Sequence, residues 1–475
     1  MQLEPKASVS EERKEMTPQE KALARERVGP LLLRLAFPAI VAQLVNALYN
    51  IIDRIYIGNI PEQGGRLLTG VGVTFAIIMV INASASLIGS GGAPLLTMHL
   101  GEGDKEAAAH VLNQAFIYLL LLAVIIMPAI WLTQDRFLYW FGASEVTFAA
   151  ARNYLTIYTL GTPFVMISLG MNAFINAQGF TSLGMRTVLV GAVANLILDP
   201  IFIFGLGLNE SGAAIATVIS QALSAAYVLR VLTGGRLAVS LQPVLMRRID
   251  WKTFGRIVAL GLAPFVMSST EGLLQVVQNS TLQRYGGDAA VGAMVIIGSI
   301  MQFILLPTAG LTRGAQPIIS YNYGALQFDR VRAAVRKLVM YCVIWVGSMF
   351  LLVQLFPGAF VRIFNSDPEM IRFTSPLLRL YMLGMIFMGL QISLQNSFVA
   401  LGQAKRSIAL AMLRKLILLI PLILILPLWF GYRAVFFAEA IVDFTAAAVT
   451  TIVFVTGFRS ILDARRRAVE TRRGG

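Results

Sequence analysis

Charge is what this chain has least of. Asp, Glu, Lys and Arg make up only 13% of its 475 residues, where a soluble domain carries about 25%. With 57% hydrophobic residues and a mean hydropathy of +0.72, this excludes a water-soluble body and places most of the chain in lipid. Cysteine is nearly missing as well. Cys342 stands alone, which excludes an intramolecular disulfide, and His99 and His110 leave no His/Cys cluster for zinc or copper. No GxxxxGK[ST] loop, GxSxG elbow or HExxH pair occurs, so nothing assigns a catalytic residue, a cofactor or an enzymatic activity. "GSGGAP" at 89–94 is glycine-rich, but it ends a span and reads as a helix-packing device.

What is there begins with the basic residues. A net charge of +14 suggests nucleic acid until its placement is considered. The Lys and Arg residues sit in the tails and in alternate links, which is the pattern of membrane orientation. Arg230, Arg236, Arg247, Arg248, Lys252 and Arg256 mark one link, and Arg330, Arg332, Arg336 and Lys337 another, while "LGLNE" carries none. Arg362, Arg372 and Arg379 are exceptions near an outer link. A nucleic-acid partner is therefore excluded, and both termini are expected in the cytoplasm. The polar start of the chain has no apolar core of signal-peptide type. The bilayer is the chain's main surroundings.

Apolar segments of spanning length begin near residues 31, 67, 111, 152, 186, 211, 254, 291, 332, 373, 407 and 433. The fold class is thus an all-α polytopic membrane protein with twelve transmembrane helices. The chain also repeats at a shift of 223 residues: Gly91 falls on Gly314, Pro94 on Pro317, Gly101 on Gly324, Tyr158 on Tyr381, Ala177 on Ala400 and Gly179 on Gly402. A six-span unit has even parity, so the two halves enter the membrane from the same side as parallel repeats. The expected organisation is a cytosolic tail at 1–29, a first lobe at 30–233, a cytosolic linker at 234–253, a second lobe at 254–458 and a basic tail at 459–475.

Polar residues inside spans are the functional candidates. Asp53 lies five residues before Gly58, Asp199 six before Gly205 and Thr217 five after Gly212, so at about 1.5 Å per residue the three share a depth. Asn195 is one turn from Asp199, and Ala213 is one turn from Thr217. Such hard oxygen donors at Asp53, Asn195, Asp199 and Thr217 suit Na+, or a proton held between carboxylates. Pro200 withdraws a backbone donor and serves as the expected hinge. The plain alternative pairs Asp53 with Arg54 and gives Asp199 only an interhelical hydrogen bond. The second half carries secondary candidates: Glu271 with Gln275, and Glu439 with Asp443 four residues on. Arg313, Arg414 and Lys415 stand as cationic partners. Met79, Met166, Met171 and Met301 offer an adaptable apolar lining, with lipid-facing or core positions as the plainer reading.

"NALYNIIDRIYIG", "GSGGAPLLTMHLGEGD", "NLILDPIFIFGLG" with "GAAIATVISQ", and "TRGAQPIISYNYGA" together resemble the multidrug and toxic compound extrusion (MATE) transporters, in their MepA-like bacterial branch. The resemblance covers about residues 30 to 458. It implies two six-helix lobes around a V-shaped central cavity in a bacterial inner membrane, and a monomer exporting lipophilic organic cations against H+ or Na+. Carried over, the first-lobe cation site falls on Asp53, Asn195, Asp199 and Thr217, with the Ala213 carbonyl, and the second-lobe acid on Glu271. A further acid in the tenth span has no counterpart in "YMLGMIFMGLQISLQNSF". A lipid-linked-precursor flippase is the alternative function. An intramembrane aspartyl hydrolase using Asp53 and Asp199 is a weaker one, since the "GxGD" context is missing.

Overall fold

The computed structural model describes residues 16–58, 60, 64–141, 144–242 and 249–474. The first fifteen residues, and Arg247 and Arg248 of the expected linker, lie outside them. A short helix, α1 (Pro18–Arg25), opens the chain; Thr17 caps it and Glu20 returns the bond in a capping box. The long helices follow. They are α2 (Val28–Gly58), α3 (Gly64–Glu102), α4 (Lys105–Trp140), α5 (Glu145–Leu160), α6 (Thr162–Ala177), α7 (Thr181–Gly205), α8 (Asn209–Thr233) and α9 (Trp251–Gly324). After them come α10 (Phe328–Leu355), the short α11 (Pro357–Arg362), α12 (Pro368–Ala400), α13 (Ala404–Phe430) and α14 (Arg433–Glu470).

Helix is the only regular way to cross lipid without a closed sheet, because each span must satisfy its own backbone groups. α5 and α6 meet at a 57° bend and make one crossing. The 74 residues of α9 would span about 110 Å if straight, over three times the hydrocarbon thickness of about 30 Å. Gly287, at φ 65° and ψ −166°, breaks it into two crossings. Glycine alone takes that geometry without strain. Counted this way, the described residues hold the twelve crossings expected from hydropathy. The last helix runs on through the basic tail instead of ending near 458.

The repeat is visible in the packing. Thr97 Oγ1 donates to the Ala177 carbonyl at 3.0 Å, and 223 residues on Ser320 Oγ donates to Ala400 at 2.8 Å. The lobes meet through glycines in the same reciprocal way. A Cβ on Gly101 would collide with the Tyr321 carbonyl, and one on Gly324 with the Met98 carbonyl. Gly91 sits against Ile257, and its repeat mate Gly314 against Ala36. These contacts fall in the part of α3 that leads to residue 102 and toward the two ends of α9, here called the tail end; α1 and Arg465 of α14, which pairs with Glu102, lie there too. Small residues allow backbones to close on one another, so the lobes are joined at the tail end.

Two segments strap the tail end. α1 lies across both lobes. The Leu23 carbonyl accepts from Asn322 Nδ2 at 3.0 Å and Arg330 Nη2 at 2.9 Å, Arg330 also donates to the Glu26 carbonyl at 2.8 Å, and Glu20 pairs with Lys105 at 3.5 Å. The described parts of the 234–250 link are pinned to the first lobe. Val239 N donates to Gln178 Oε1, Gln242 N to Asn113 Oδ1 and Asp250 N to Gln114 Oε1, at 2.7–2.9 Å. Arg379, an exception to the charge pattern, is held by an exchange of bonds with Gln354: its Nε donates to the Gln354 carbonyl at 3.0 Å.

Candidate functional site

α7 presents Asn195 and Asp199 one turn apart on one face, at 2% and 0% exposure. Asn195 Nδ2 donates to Asp199 Oδ1 at 3.0 Å and reaches Thr217 Oγ1 on α8 at 3.5 Å. Thr217 is buried, and Ala213 fully so one turn before it. Asp53, on α2, is half-buried and close enough to Asp199 for their charges to interact. Three helices thus bring Asp53, Asn195, Asp199 and Thr217 into one site with Ala213 in its wall. The side chain of Arg54 lies outside the described residues.

Three tyrosines missed in the sequence complete the site. Tyr49 neighbours both acids and lies beside Gln221. Tyr154 neighbours Asp53 and lies beside Thr217, and Tyr158 also faces Asp53. Gln221 Oε1 in turn accepts from Ser168 Oγ at 2.7 Å. A signal existed: Tyr49 is one turn before Asp53, and Tyr154 and Tyr158 are one turn apart, their rings stacked at 6.2 Å. Phenols carry a polar tip that seeks a partner when buried.

Asp199 Oδ2 is buried and meets no hydrogen-bond donor among the described residues. A carboxylate oxygen so placed is costly unless a cation or proton meets it. Directly after it, Pro200 removes an intrahelical donor. Residues Ile201–Gly205 form a widened turn, with Leu206 N donating to the Ile201 carbonyl at 2.9 Å. Such turns cluster at functional sites because they are a local loosening of the helix. The arrangement can exchange one small cation or proton and bend.

The second-lobe acids have a different setting. Arg414 Nη2 donates to Asp443 Oδ1 at 2.8 Å and to Glu439 Oε1 at 3.3 Å, all three buried. Lys415 forms an ion pair with Glu271 and donates to the Met267 carbonyl at 2.7 Å. Arg414 and Lys415 are adjacent yet both buried, on the widened turn Leu413–Leu419 of α13. Glu271 is exposed, and so is Gln275 one turn on. Of the three cations put forward as partners, Arg414 and Lys415 meet the acids and Arg313 does not: among the described residues no carboxylate lies within 4.0 Å of it. The methionines mostly follow the plainer reading. Met166, Met171 and Met301 are buried in the lobes, and only Met79 is exposed.

Known proteins share both sequence and architecture with this chain. "Multidrug export protein MepA" of Staphylococcus aureus (strain MSSA476) is 25% identical over 434 residues, covering 91% of this chain and 95% of that protein. Its Staphylococcus haemolyticus namesake is 26% identical over 436 residues, covering 91% and 94%. Among solved structures, MATE in complex with MaL6 superimposes with a TM-score of 0.87 at 21% identity, over 95% of this chain and all of that one. An outward-facing multidrug resistance MATE family transporter of the MOP superfamily gives 0.86 at 22%, over 95% of this chain and all of that one. These two show the shared fold. The MatE family profile matches twice, at residues 38–201 and 264–425, once in each repeat and at nearly the shift that the glycine pairs show. With both halves matched, the chain belongs to the MatE family.

Proposed function

We propose that this chain is a secondary antiporter that exports lipophilic, mostly cationic compounds in exchange for a small cation entering through the first lobe, working as a monomer with the tail end in the cytosol. The observation that carries the reading is the buried Asp199 carboxylate, with one oxygen held by Asn195 and the other meeting no donor. Two acids close together in a dry site cannot both stay charged unless a cation or proton lies between them. The coupling ion is H+ or Na+. The multidrug export named for the staphylococcal relatives supports the substrate class.

In this cycle the ion arrives from the side opposite the tail end, binds at Asp53 and Asp199, and shifts α7 at Pro200 against α2 and α8. The lobes then rock about their glycine contacts. Linkage makes the effect mutual: substrate weakens ion binding by the factor by which the ion weakens substrate binding. The test is efflux of a fluorescent lipophilic cation from vesicles with pH and Na+ gradients imposed separately. Asp199→Asn and Asp53→Asn are expected to lose at least tenfold in gradient-driven rate. Undiminished transport in both would remove the site from the mechanism.

A further inference from the structure

Arg313 is a charge without an evident task. Its repeat mate is Ser90, so the twofold architecture does not require a cation there. The two other membrane-embedded cations of the second lobe, Arg414 and Lys415, are buried and paired with acids. Arg313 is exposed, although it stands on α9 between glycines that pack against the opposite lobe. Its neighbours on α9 show where. Gly310 packs against Ile40 and Gly314 against Ala36 of α2, so the guanidinium emerges beside the seam where α9 meets the opposite lobe. Beside it lies the Gln43 amide of the opposite lobe, which would accept from the guanidinium at 2.8–3.1 Å with its oxygen turned toward it. One acceptor cannot use five N–H donors. A charge in a membrane protein is costly to keep, and one that faces a water-filled cavity marks a substrate path.

Building on the export reading, we propose that Arg313 is a specificity-determining residue that binds the carboxylate of zwitterionic substrates. The planar fork fits a carboxylate through two parallel hydrogen bonds, which an ammonium does not match. Glu271 is exposed on the same helix, eleven to twelve turns of chain before it by sequence and across the Gly287 break. The acids of the first lobe attract the cationic centre, and Arg313 takes the anionic end. A simple monocation gains nothing from Arg313. Gln43 stands beside the guanidinium on the opposite lobe, so a substrate bound there touches the junction between the lobes.

A matched pair of probes separates the two charges: rhodamine B, which carries a free carboxylate, and its ethyl ester, which does not. Binding to the purified full-length protein is followed by fluorescence polarisation at neutral pH. Wild type binds both. Arg313→Gln is expected to weaken the acid about tenfold or more, the size of a lost charge-assisted bidentate contact, and to leave the ester within about twofold. Arg313→Lys restores part of the acid's affinity. Equal losses for acid and ester, no loss for the acid, or a wild type that binds the ester alone would each overturn the inference. Gradient-driven export of the ester by wild type reads the export function separately, and its absence would remove the reading on which the inference rests.

Discussion

Arg414 donates to Asp443 at 2.8 Å where the two side chains are 5% and 2% exposed. That pair, with Glu439 on its other side, gives the second lobe a buried charge network joining α13 to α14. Removing one partner of such a network leaves an uncompensated charge in the interior. Arg414→Met is expected to cost about 3–5 kcal/mol of stability. The combined replacement Arg414→Met, Glu439→Gln, Asp443→Asn is expected to recover most of it. Thermal unfolding in detergent decides the matter. If Arg414→Met unfolds like wild type, the cluster does not hold the lobe together.

Gly324 faces the Met98 carbonyl across the lobe junction, and the obstacle is backbone. A rigid backbone cannot turn aside as a flexible side chain does. Gly324→Val should therefore push the lobes apart at the tail end, at a cost of about 1–3 kcal/mol. A single-cysteine probe at Ser90, in a Cys342→Ser background, should react faster with a membrane-impermeant reagent added from the tail side. Unchanged reactivity would mean that the junction does not gate that side.

Arg330 holds α1 through the carbonyls of Leu23 and Glu26 and is steadied by Asn322 Oδ1 at 3.0 Å. Arg330→Ala removes all three bonds. The expected result is faster tryptic cleavage after Lys21 and Arg25, by roughly tenfold if opening of the strap costs about 1.4 kcal/mol less. Protection equal to wild type would show that Leu23, 1% exposed, anchors the strap by packing alone.

Asp250 begins α9, and its carboxylate accepts from the Thr253 hydroxyl at 2.6 Å, from His110 at 3.1 Å and from the backbone N–H of Lys252. The Thr253 hydroxyl first, and His110 second, hold this carboxyl well below the usual carboxylate range. A lowered folded-state value means that the contribution to stability is fully present above the unfolded value of about 3.9 and is lost as pH falls from there through the folded value. Asp250→Asn should flatten the acid limb of the melting-temperature profile below about pH 4, while Asp250→Ala should cost about 1 kcal/mol at neutral pH as a lost helix cap. Parallel acid limbs for wild type and Asp250→Asn would exclude the linkage.

The twelve crossings were legible because lipid imposes one rule on every span: a long apolar run with its backbone bonds satisfied within the helix. The depth of Asp53, Asp199 and Thr217 was legible because the rise per residue is constant. Neither rule says which way a helix is rotated about its axis. That is why Met166 and Met171 proved to be buried, and why Tyr154 and Tyr158, in plain sight beside a turn of the same helix, were not counted with the acids.

Sequence alone thus determined the fold class, the repeat and the grouping of Asn195 with Asp199, since all three follow from periodicity along one chain. Tertiary structure decided which charges meet. Lys415 reaches Glu271 and Arg414 reaches Asp443, while among the described residues Arg313 meets no carboxylate within 4.0 Å, although nothing in their local sequence tells these cations apart. The physical reason is that an ion pair depends on helix rotation and lobe packing, which are set by contacts between segments more than a hundred residues apart for Lys415 and Glu271, and not by the residues beside each charge.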